Sequence, residues 1–413
     1  MYTWKHTLYL MFAAQFLTAI GFSTIFPFLP SYVRDLGSRT DTDILFWIAA
    51  VFSVQGLTVM IASPIWGAIA DRYGRKLMIQ RVLFGGAAVI LLMGFVRSAE
   101  ELVVLRAVQG LITGMVAASN SLVAAAVPRR RMGYAMGAMQ TALWGGVAIG
   151  PVIGGGLEFL FGYRASFIVT SVLLLLGGLL VTLWVREGFT PDPAARRAGP
   201  RGYLAAWKQV LTAPGVNLAY LLRFGTRLGH NMLMPFLPLF VASIVINQEL
   251  TGIVTGLAIG SASAAGTVSA IYLGHLGDRI GHKPILVGSA LAATLLYLPL
   301  GLTATSWQFL ILNTLVGAAL GGLVPSISAL LTHYTKRGEE GSVFGLDNAA
   351  VAASRLVGPL LGGLVVALGG LLIGFETYRG LFFTAAIICL ATALLANRYL
   401  PGTRRVRSNP AAD

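Results

Sequence analysis

The ten residues Gly67 to Lys76 read GAIADRYGRK and directly follow a long apolar segment. A related run, GHLGDRIGHK, occupies Gly274 to Lys283 in the second half of the chain. Both runs place one acid, Asp71 or Asp278, beside basic residues and between two glycines. Glycine permits tight backbone turns that other residues resist. Each run therefore predicts a short loop that joins two membrane helices.

The composition is that of a membrane protein. Of the 413 residues, 56% are hydrophobic and 11% are charged, and the mean hydropathy is +0.76. These values exclude a water-soluble globule of ordinary composition. The formal net charge is +14, but the charges lie in short loops between apolar runs, so we expect no nucleic-acid partner.

Cysteine and histidine usage argues against covalent and metal chemistry. The single cysteine, Cys389, excludes an intramolecular disulfide. The five histidines show no metal-ligand spacing, and no phosphate-binding loop of the G-x-x-x-x-G-K-[ST] type occurs. We therefore expect no metal, no cofactor, no ATP-driven step and no enzymatic activity.

Spanning helices need roughly 20 mostly apolar residues each, and the sequence meets this requirement twelve times. The only long gap between spans, residues 187–213, is rich in proline, arginine and alanine and predicts a linker. It separates a half at 1–186 from a half at 214–400, and a basic tail follows at 401–413. The predicted spans are about 6–33, 44–70, 77–96, 100–127, 132–160, 165–186, 214–245, 250–277, 284–303, 307–334, 341–370 and 378–400.

The two halves are repeats of one another. The tetrapeptide PFLP occurs at Pro27–Pro30 and again 208 residues later. The pair Gly150-Pro151 returns as Gly358-Pro359 at the same offset, and the two glycine-bounded loops are 207 residues apart. We therefore expect an all-α membrane protein with twelve transmembrane helices in two pseudo-symmetric six-helix bundles. In a transporter, this symmetry implies a substrate site between the halves near the bilayer midplane.

Basic residues set the expected orientation, because they favour cytoplasmic loops. With both termini in the cytoplasm, most lysines and arginines fall on that side. We expect a multi-pass protein of a bacterial inner (cytoplasmic) membrane. The other side receives only Arg34, Arg39, Arg97, Arg164 and Arg379.

The form G-x-x-x-D-R-x-G-R-K after the second of twelve helices resembles the signature loop of the major facilitator superfamily. A weaker second copy is also typical of that family, in which the loop acts as a latch between conformations. The alternative is a charged loop that only sets topology, which explains the basic residues but not the placed acid or its repeat. The resemblance assigns these residues to gating: Gly67, Asp71, Arg72, Gly74, Arg75, Lys76, Gly274, Asp278 and Arg279.

The fourth predicted helix contains LRAVQG, with Arg106, Gln109 and Gly110. Its R-x-x-Q-G pattern resembles the second motif of the superfamily, in which the arginine is linked to proton transfer. An arginine inside a spanning segment is costly and usually faces a polar interior. Alternatively, Arg106 extends to the bilayer surface, since it lies only a few residues from the helix start.

The fifth predicted helix contains GVAIGPVIGGG, from Gly146 to Gly156. The pattern resembles the motif of the antiporter branch, especially the drug:proton exporters. Plain helix packing explains the same glycines, so the direction of transport rests on the resemblance. The residues of this antiporter motif are Gly146, Gly150, Pro151, Gly154 and Gly155.

The seventh predicted helix places Arg223, Arg227 and His230 on one face, at i, i+4 and i+7. Like charge in a low-dielectric cavity repels cations, and the first helix offers no acid. We therefore expect a neutral, zwitterionic or anionic amphipathic substrate, unless Asp347 or another partner neutralises the arginines. The candidate cavity residues are Gln15, Arg106, Gln109, Arg223, Arg227, His230, Asn231 and Arg355.

Proton coupling is assigned to three candidates: Asp347, which is ionisable and intramembrane, then His230, and Arg106 by resemblance. The leading prediction is a secondary active transporter that exports drugs or amphipathic small molecules by proton-coupled alternating access. The alternative is an importer or facilitator of a specific organic anion or metabolite. We expect a monomer whose partners are a small-molecule substrate, protons and the lipid bilayer.

Overall fold

The computed structural model of the protein describes residues 4–40, 43–128, 131–187, 216–334, 340–372 and 378–400. Nine helices within these ranges are long and apolar enough to cross a membrane. One of them, Met132–Trp184, crosses twice, because Gly162 (φ 75°, ψ 175°) bends it sharply. Two further crossings fall outside this criterion, because one is broken at its middle and the other carries arginines. The predicted all-α fold class with twelve spans is confirmed.

The twelve spans are numbered in chain order. Their bounds are: span 1, Trp4–Thr24 and Leu29–Leu36; span 2, Ile44–Tyr73; span 3, Arg75–Gln80, a π-helical turn Arg81–Gly85 and Gly86–Met93; span 4, Ala99–Ile112 and Met115–Ala126; spans 5 and 6, the parts of Met132–Trp184 before and after Gly162; span 7, Val216–Leu233 and Leu237–Ile244; span 8, Thr251–Ile280; span 9, His282–Leu300; span 10, Ser306–Leu320 and Leu323–Tyr334; span 11, Glu340–Leu372; and span 12, Arg379–Tyr399.

Spans 1 and 7 are interrupted by the repeated PFLP sequence. Thr24 ends the first helix of span 1, and Leu29 begins the second. In span 7 the same break separates Leu233 from Leu237. Proline is unfavourable inside a helix but is tolerated in the first turn, where both second helices carry it. Each of these spans, expected as one continuous segment, therefore consists of two helices.

Each half packs an aromatic cluster near the end of the bundle opposite to the chain termini, here called the far end. In the first half, Phe167 lies 5.5 Å from Phe28 and 5.2 Å from Tyr32 between ring centroids. In the second half, Phe240 and Phe382 lie 4.8 Å apart. Edge-to-face and tilted rings at such distances attract one another beyond their buried area, so these clusters stabilise the far end of each half.

The two halves meet along span 2 with span 11 and span 5 with span 8. A Cβ built on Gly56 would lie 2.8 Å from the backbone of Arg355, and one built on Gly256 would lie 2.9 Å from the carbonyl carbon of Pro151. These helices therefore touch backbone to backbone, as small residues allow in membranes. The surface formed by these two helix pairs is called the seam, and its contacts run from the far end to the middle of the molecule.

Candidate functional site

Spans 7 and 11 hold a buried ion pair. Arg223 Nη2 donates a hydrogen bond to Asp347 Oδ2 at 2.9 Å. Arg223 is 7% exposed and Asp347 is 5% exposed. Removing either partner of such a pair leaves a buried charge unpaired, which is strongly unfavourable. The structure thus brings the first proton-carrier candidate into contact with a cavity candidate.

Three more polar residues of spans 7 and 11 extend from this ion pair, and Arg227 is the one that interacts with it directly. Arg227 is half-buried and lies within electrostatic range of Arg223, Arg355 and Asp347. His230 lies within electrostatic range of Arg227 and Arg355. The side chain of Arg355 is exposed, although its backbone packs in the seam. The exposed fraction therefore rises from the buried ion pair through the half-buried Arg227 and His230 to Arg355. We call Arg223, Arg227, His230, Asp347 and Arg355 the cationic cluster.

The cationic cluster carries an excess of positive charge. It contains three arginines, which stay protonated in proteins, and one carboxylate. Within the described part of the chain, no hydrogen-bond partner serves Nε and Nη1 of Arg223, Nε of Arg227 or Oδ1 of Asp347, although each atom is buried. Buried polar atoms are ordinarily hydrogen-bonded. The cluster therefore offers unused donors and one unused acceptor to a ligand.

Asn231 connects the two helices that carry the cationic cluster. Its Nδ2 donates to Ser354 Oγ in span 11 at 2.9 Å. A Cβ built on Gly358 would lie 2.9 Å from the Cβ of Asn231, so spans 7 and 11 are in close contact here. The amide of Asn231 therefore has a hydrogen-bond partner within the protein.

The first half holds another buried arginine. Arg106 in span 4 is 3% exposed, and its Nη1 donates to Gln109 Oε1 at 2.8 Å and to Gln55 Oε1 at 3.4 Å. Its guanidinium carbon lies 5.9 Å from the ring centroid of Phe52. Nε and Nη2 are buried and have no partner among the described residues. Arg106 thus points into the protein and not to the bilayer surface.

Gln15 in span 1 is also buried, and its Oε1 lacks a hydrogen-bond partner in the described ranges. It stands 208 residues before Arg223, so the repeat places a neutral amide in one half and a cation in the other. This substitution makes the interior of the bundle asymmetric in charge.

The first glycine-bounded loop, predicted to act in gating, is anchored to the end of span 6. Gly74 has φ 96°, a conformation that favours glycine. The backbone N–H groups of Arg75 and Lys76 then donate to the two carboxylate oxygens of Glu187 at 2.9 and 2.8 Å. A carboxylate is favoured at a helix N-terminus, where backbone N–H groups lack partners. Three predicted members of this loop have side chains outside the described part: Gly67, Asp71 and Arg72.

A lysine completes the anchor in both halves. Lys76 Nζ donates to the carbonyl oxygen of Val185 at 2.6 Å, at the end of span 6. In the second half Gly281 has φ 99°, and Lys283 Nζ donates to the carbonyl oxygen of Leu400 at 2.5 Å, after span 12. Cations are favoured at helix C-termini. Each loop is therefore fixed to the last span of its own half.

The acid of the second loop lies at the surface. Asp278 Oδ1 is 3.3 Å from His282 Nε2, and the side chain of Asp278 is 71% exposed. Arg279 is also exposed, and a Cβ built on Gly274 would meet only the side chain of Pro325, at 3.9 Å. These residues therefore have room to change partners.

Three glycines of the antiporter motif face span 1. A Cβ on Gly146 would lie 2.5 Å from the Cβ of Ala19, and one on Gly150 would lie 2.6 Å from the carbonyl oxygen of Ile20. Gly154 is as close to the backbone of span 1 as the other two. Spans 1 and 5 therefore approach to a distance that only glycine permits at these positions.

Two other residues of this motif face span 8 across the seam. A Cβ on Gly155 would lie 2.6 Å from the carbonyl carbon of Gly252, and Pro151 contacts Gly256. The antiporter motif therefore packs within the first half and between the halves. Its geometry is one of close helix packing.

Sequence reasoning missed two partners of the predicted site. Gln55 is a single amide in an otherwise apolar run, which is a usable signal for an interior polar contact. Glu187 lies more than 100 residues from the loop that it caps, and no local pattern connects them. Contacts of this second kind arise only from the tertiary arrangement.

The two packed halves of the chain each match the same family of proteins. A profile of the Major Facilitator Superfamily matches residues 11–243 and again residues 219–413. The chain belongs to this superfamily. The expected major facilitator fold is thereby confirmed.

Two multidrug resistance proteins align along almost the whole chain. The multidrug resistance protein MdtG of Serratia proteamaculans (strain 568) is 36% identical over 392 residues, which cover 95% of this chain and 93% of that protein. MdtG of Enterobacter lignolyticus (strain SCF1) is 33% identical over 391 residues, which cover 95% of this chain and 91% of that protein.

Solved structures of transporters share the fold. A bacterial homologue of the human lysosomal transporter Spinster, in an inward-facing and unoccupied conformation, matches with a TM-score of 0.76 at 15% identity, covering 95% of this chain and 96% of that one. The human organic anion transporter MFSD10 (TETRAN) matches with a TM-score of 0.67 at 17% identity, covering 96% and 100%. At these identities the likeness establishes the fold alone.

Proposed function

We propose that this superfamily member is a proton-coupled exporter of drugs and other amphipathic small molecules. Its relatives named as multidrug resistance proteins align over 95% of the chain. The observation that carries the proposal is the cationic cluster, in which one buried acid interacts with Arg223 and Arg227, and Arg227 in turn lies near Arg355. This arrangement supplies a proton acceptor and ligand-binding donors in one place.

Export of a substrate in exchange for a proton that moves down its own gradient requires that substrate and proton compete for one site. Asp347 provides the competition, because its Oδ1 is buried and unused in the described part. A substrate that donates a hydrogen bond or carries an ammonium group would bind the ionised carboxylate, and a proton on that carboxylate would displace it. His230 is the second candidate for the proton, and Arg106 acts in coupling.

An anionic group on the same substrate would bind the unpaired guanidinium groups of Arg227 and Arg355, because charge-assisted hydrogen bonds to arginine are strong. The preferred substrate is therefore zwitterionic, or neutral with both donor and acceptor groups. A purely anionic substrate would behave differently. Its charge would favour protonation of Asp347, so anion and proton would bind together and move in the same direction, as in an importer.

The proposed cycle is alternating access between the halves at 1–186 and 214–400, joined by the linker 187–213. The close backbone contacts of the seam lie at the far end and in the middle of the molecule, which closes the far end. With both termini in the cytoplasm, this conformation faces inward. The gating loops act as latches at the end of the bundle that carries the chain termini, here called the termini end. The protein works as a monomer.

Internal pH in proteoliposomes tests this function. Vesicles that are acidic inside receive zwitterionic, neutral, anionic or cationic amphiphiles from outside. Exchange makes the internal pH rise, because each entering molecule releases a proton. We expect this rise with zwitterionic and neutral compounds and its loss in Asp347→Asn. Acidification by anions alone would contradict export and identify proton–anion cotransport.

Arg227→Gln provides the matched variant for the substrate charge. We expect weaker binding, by roughly tenfold for a lost charged hydrogen bond, for compounds with an anionic group and little change for neutral ones. Equal affinities for all compounds in folded Arg227→Gln protein would rule out an anion-binding role for this arginine.

A further inference from the structure

Span 4 is broken two turns after Arg106. The helix Ala99–Ile112 ends at Thr113, and Gly114 (φ 136°) turns the chain into Met115–Ala126. A helix end leaves its last four carbonyl groups without partners in the helix. Inside a membrane such carbonyls must find other donors. The break therefore depends on groups supplied from elsewhere.

All four of these carbonyl groups are satisfied. The N–H of Thr113 donates to Gln109 and Gly110, at 3.1 and 3.3 Å. The indole Nε1 of Trp66 in span 2 donates to the carbonyl oxygen of Leu111 at 2.6 Å. Arg81 Nη2 in span 3 donates to Ile112 at 2.9 Å and to Thr113 at 3.2 Å. Two neighbouring spans thus cap the broken helix.

The two capping side chains also bind each other. The guanidinium carbon of Arg81 lies 3.5 Å from the ring centroid of Trp66, in the range of a strong cation–π contact. Arg81 opens the π-helical turn of span 3, a local irregularity often found at functional sites. We call Arg81 and Trp66 the clasp. It joins spans 2, 3 and 4 at one point.

The second half lacks this clasp. The residues 207 positions after Trp66 and Arg81 are Leu273 and Gly288. Both line a crevice of about 220 Å³ beside the first helix of span 10. In the second half these two positions therefore border a crevice and supply neither an indole N–H nor a guanidinium. The clasp is specific to the half that carries Arg106.

We propose that Arg81 and Trp66 are positioning residues for Arg106. The connection runs through Gln109, whose backbone carbonyl belongs to the capped turn and whose side chain accepts the hydrogen bond of Arg106 at 2.8 Å. Holding this turn fixes the register of Gln109 and hence the direction of the Arg106 guanidinium. The inference rests on the proposed function only in that Arg106 is taken to act in proton coupling.

A double-mutant cycle on proton exchange tests the proposal, since it measures whether two residues act as one unit. The variants are Arg81→Gln, Arg106→Gln and both together, in the same proteoliposomes. We expect each single change to slow exchange roughly tenfold, and the double change to be no slower than Arg106→Gln. Multiplication of the two effects would overturn the positioning role, because a merely structural residue acts independently.

Trp66→Phe keeps the test usable if Arg81→Gln fails to fold. It removes the indole N–H but keeps an aromatic face for Arg81, and it should show the same dependence on Arg106 with a smaller effect. Gln80→Ala is the matched control, because Gln80 precedes Arg81 but bonds Thr182 of span 6. Proton exchange should be unchanged in this control. The assignment to the clasp would be overturned if Gln80→Ala slowed proton exchange in the wild-type background but had no effect in the Arg106→Gln background.

Amide hydrogen exchange separates this inference from the proposed function. If the wild-type protein transports no protons in response to any compound, the proposed function is wrong. The inference about the clasp is then decided separately, by the protection of the backbone amides of residues 99–112 from hydrogen exchange. Roughly tenfold faster amide exchange there in Trp66→Phe, but not in Gln80→Ala, supports the clasp. Unchanged protection in Trp66→Phe overturns it.

Discussion

At the residue scale, one ion pair dominates the interior of the second half. Arg223 and Asp347 are buried together, yet each keeps polar atoms without partners in the described ranges. Such a pair contributes less to the stability of the folded protein than a fully hydrogen-bonded pair, because every unused buried donor adds a desolvation cost. Such incomplete satisfaction is expected where a ligand or a proton completes the site during function.

The ion pair predicts a non-additive effect on stability. Asp347→Asn or Arg223→Gln alone should lower the free energy of unfolding by about 3 to 5 kcal/mol, because the remaining charge stays buried without its partner. The double variant Arg223→Gln/Asp347→Asn should be more stable than the sum of the single losses by about 1 to 3 kcal/mol. Thermal unfolding of the detergent-solubilised variants measures this coupling. Purely additive losses would show that the two residues do not stabilise each other.

At the element scale, the glycines of span 5 determine how closely it packs on span 1. Helices in a bilayer gain little from hiding apolar surface, so they associate through close van der Waals packing. At Gly154 an added Cβ would lie 2.7 Å from the carbonyl carbon of Thr24. Backbone of this kind cannot rotate away as a flexible side chain can. The motif that identifies the antiporter branch by resemblance is therefore also a structural requirement.

Gly154→Ala should consequently destabilise the protein by about 1 to 3 kcal/mol, the usual cost of overpacking. Gly156→Ala is the matched control in the same run of glycines, because nothing lies within 4 Å of a Cβ built there. It should be neutral or slightly stabilising, since alanine favours helix more than glycine does. Thermal unfolding distinguishes the two, and equal behaviour of both variants would contradict the packing argument.

At the scale of the whole molecule, the seam closes the far end of the bundle. Its contacts lie in spans 2, 5, 8 and 11, which come from both halves. If the halves rock as rigid bodies, separation at one end must bring the other ends together. A side chain that props the seam open should therefore change distances at both ends, with opposite signs.

Gly256→Val tests this rocking motion, because valine would meet the backbone of Pro151. The only cysteine is Cys389, so Cys389→Ala gives a background for placing spin labels in pairs. One pair at the exposed residues Leu160 and Ile246 reports the far end, and one at Tyr134 and Ile280 reports the termini end. We expect the first distance to lengthen and the second to shorten.

The control for this measurement is Ala264→Val, an exposed position two turns further along span 8, which should change neither distance. Lengthening at the far end without shortening at the termini end would argue for local distortion of span 8 rather than rocking of the two halves.

Much of this architecture follows from the sequence alone. Apolar runs of sufficient length determine the number of spans, and the 208-residue offset between repeats determines the two halves, because both depend on local composition. The loop glycines Gly74 and Gly281, with positive φ, likewise follow from a turn that other residues resist. Polar residues inside apolar runs, such as Arg106 and Asp347, identify the candidate site.

The tertiary structure alone decided which of those residues meet. Asp347 pairs with Arg223, 124 positions away, Glu187 caps the N-terminus of span 3, and Arg81 caps a break in span 4. Each contact depends on the rotation and depth of two helices relative to each other. Those quantities are set by backbone packing at glycines and by the need to satisfy buried polar groups across the whole bundle, and no local pattern in the sequence contains them.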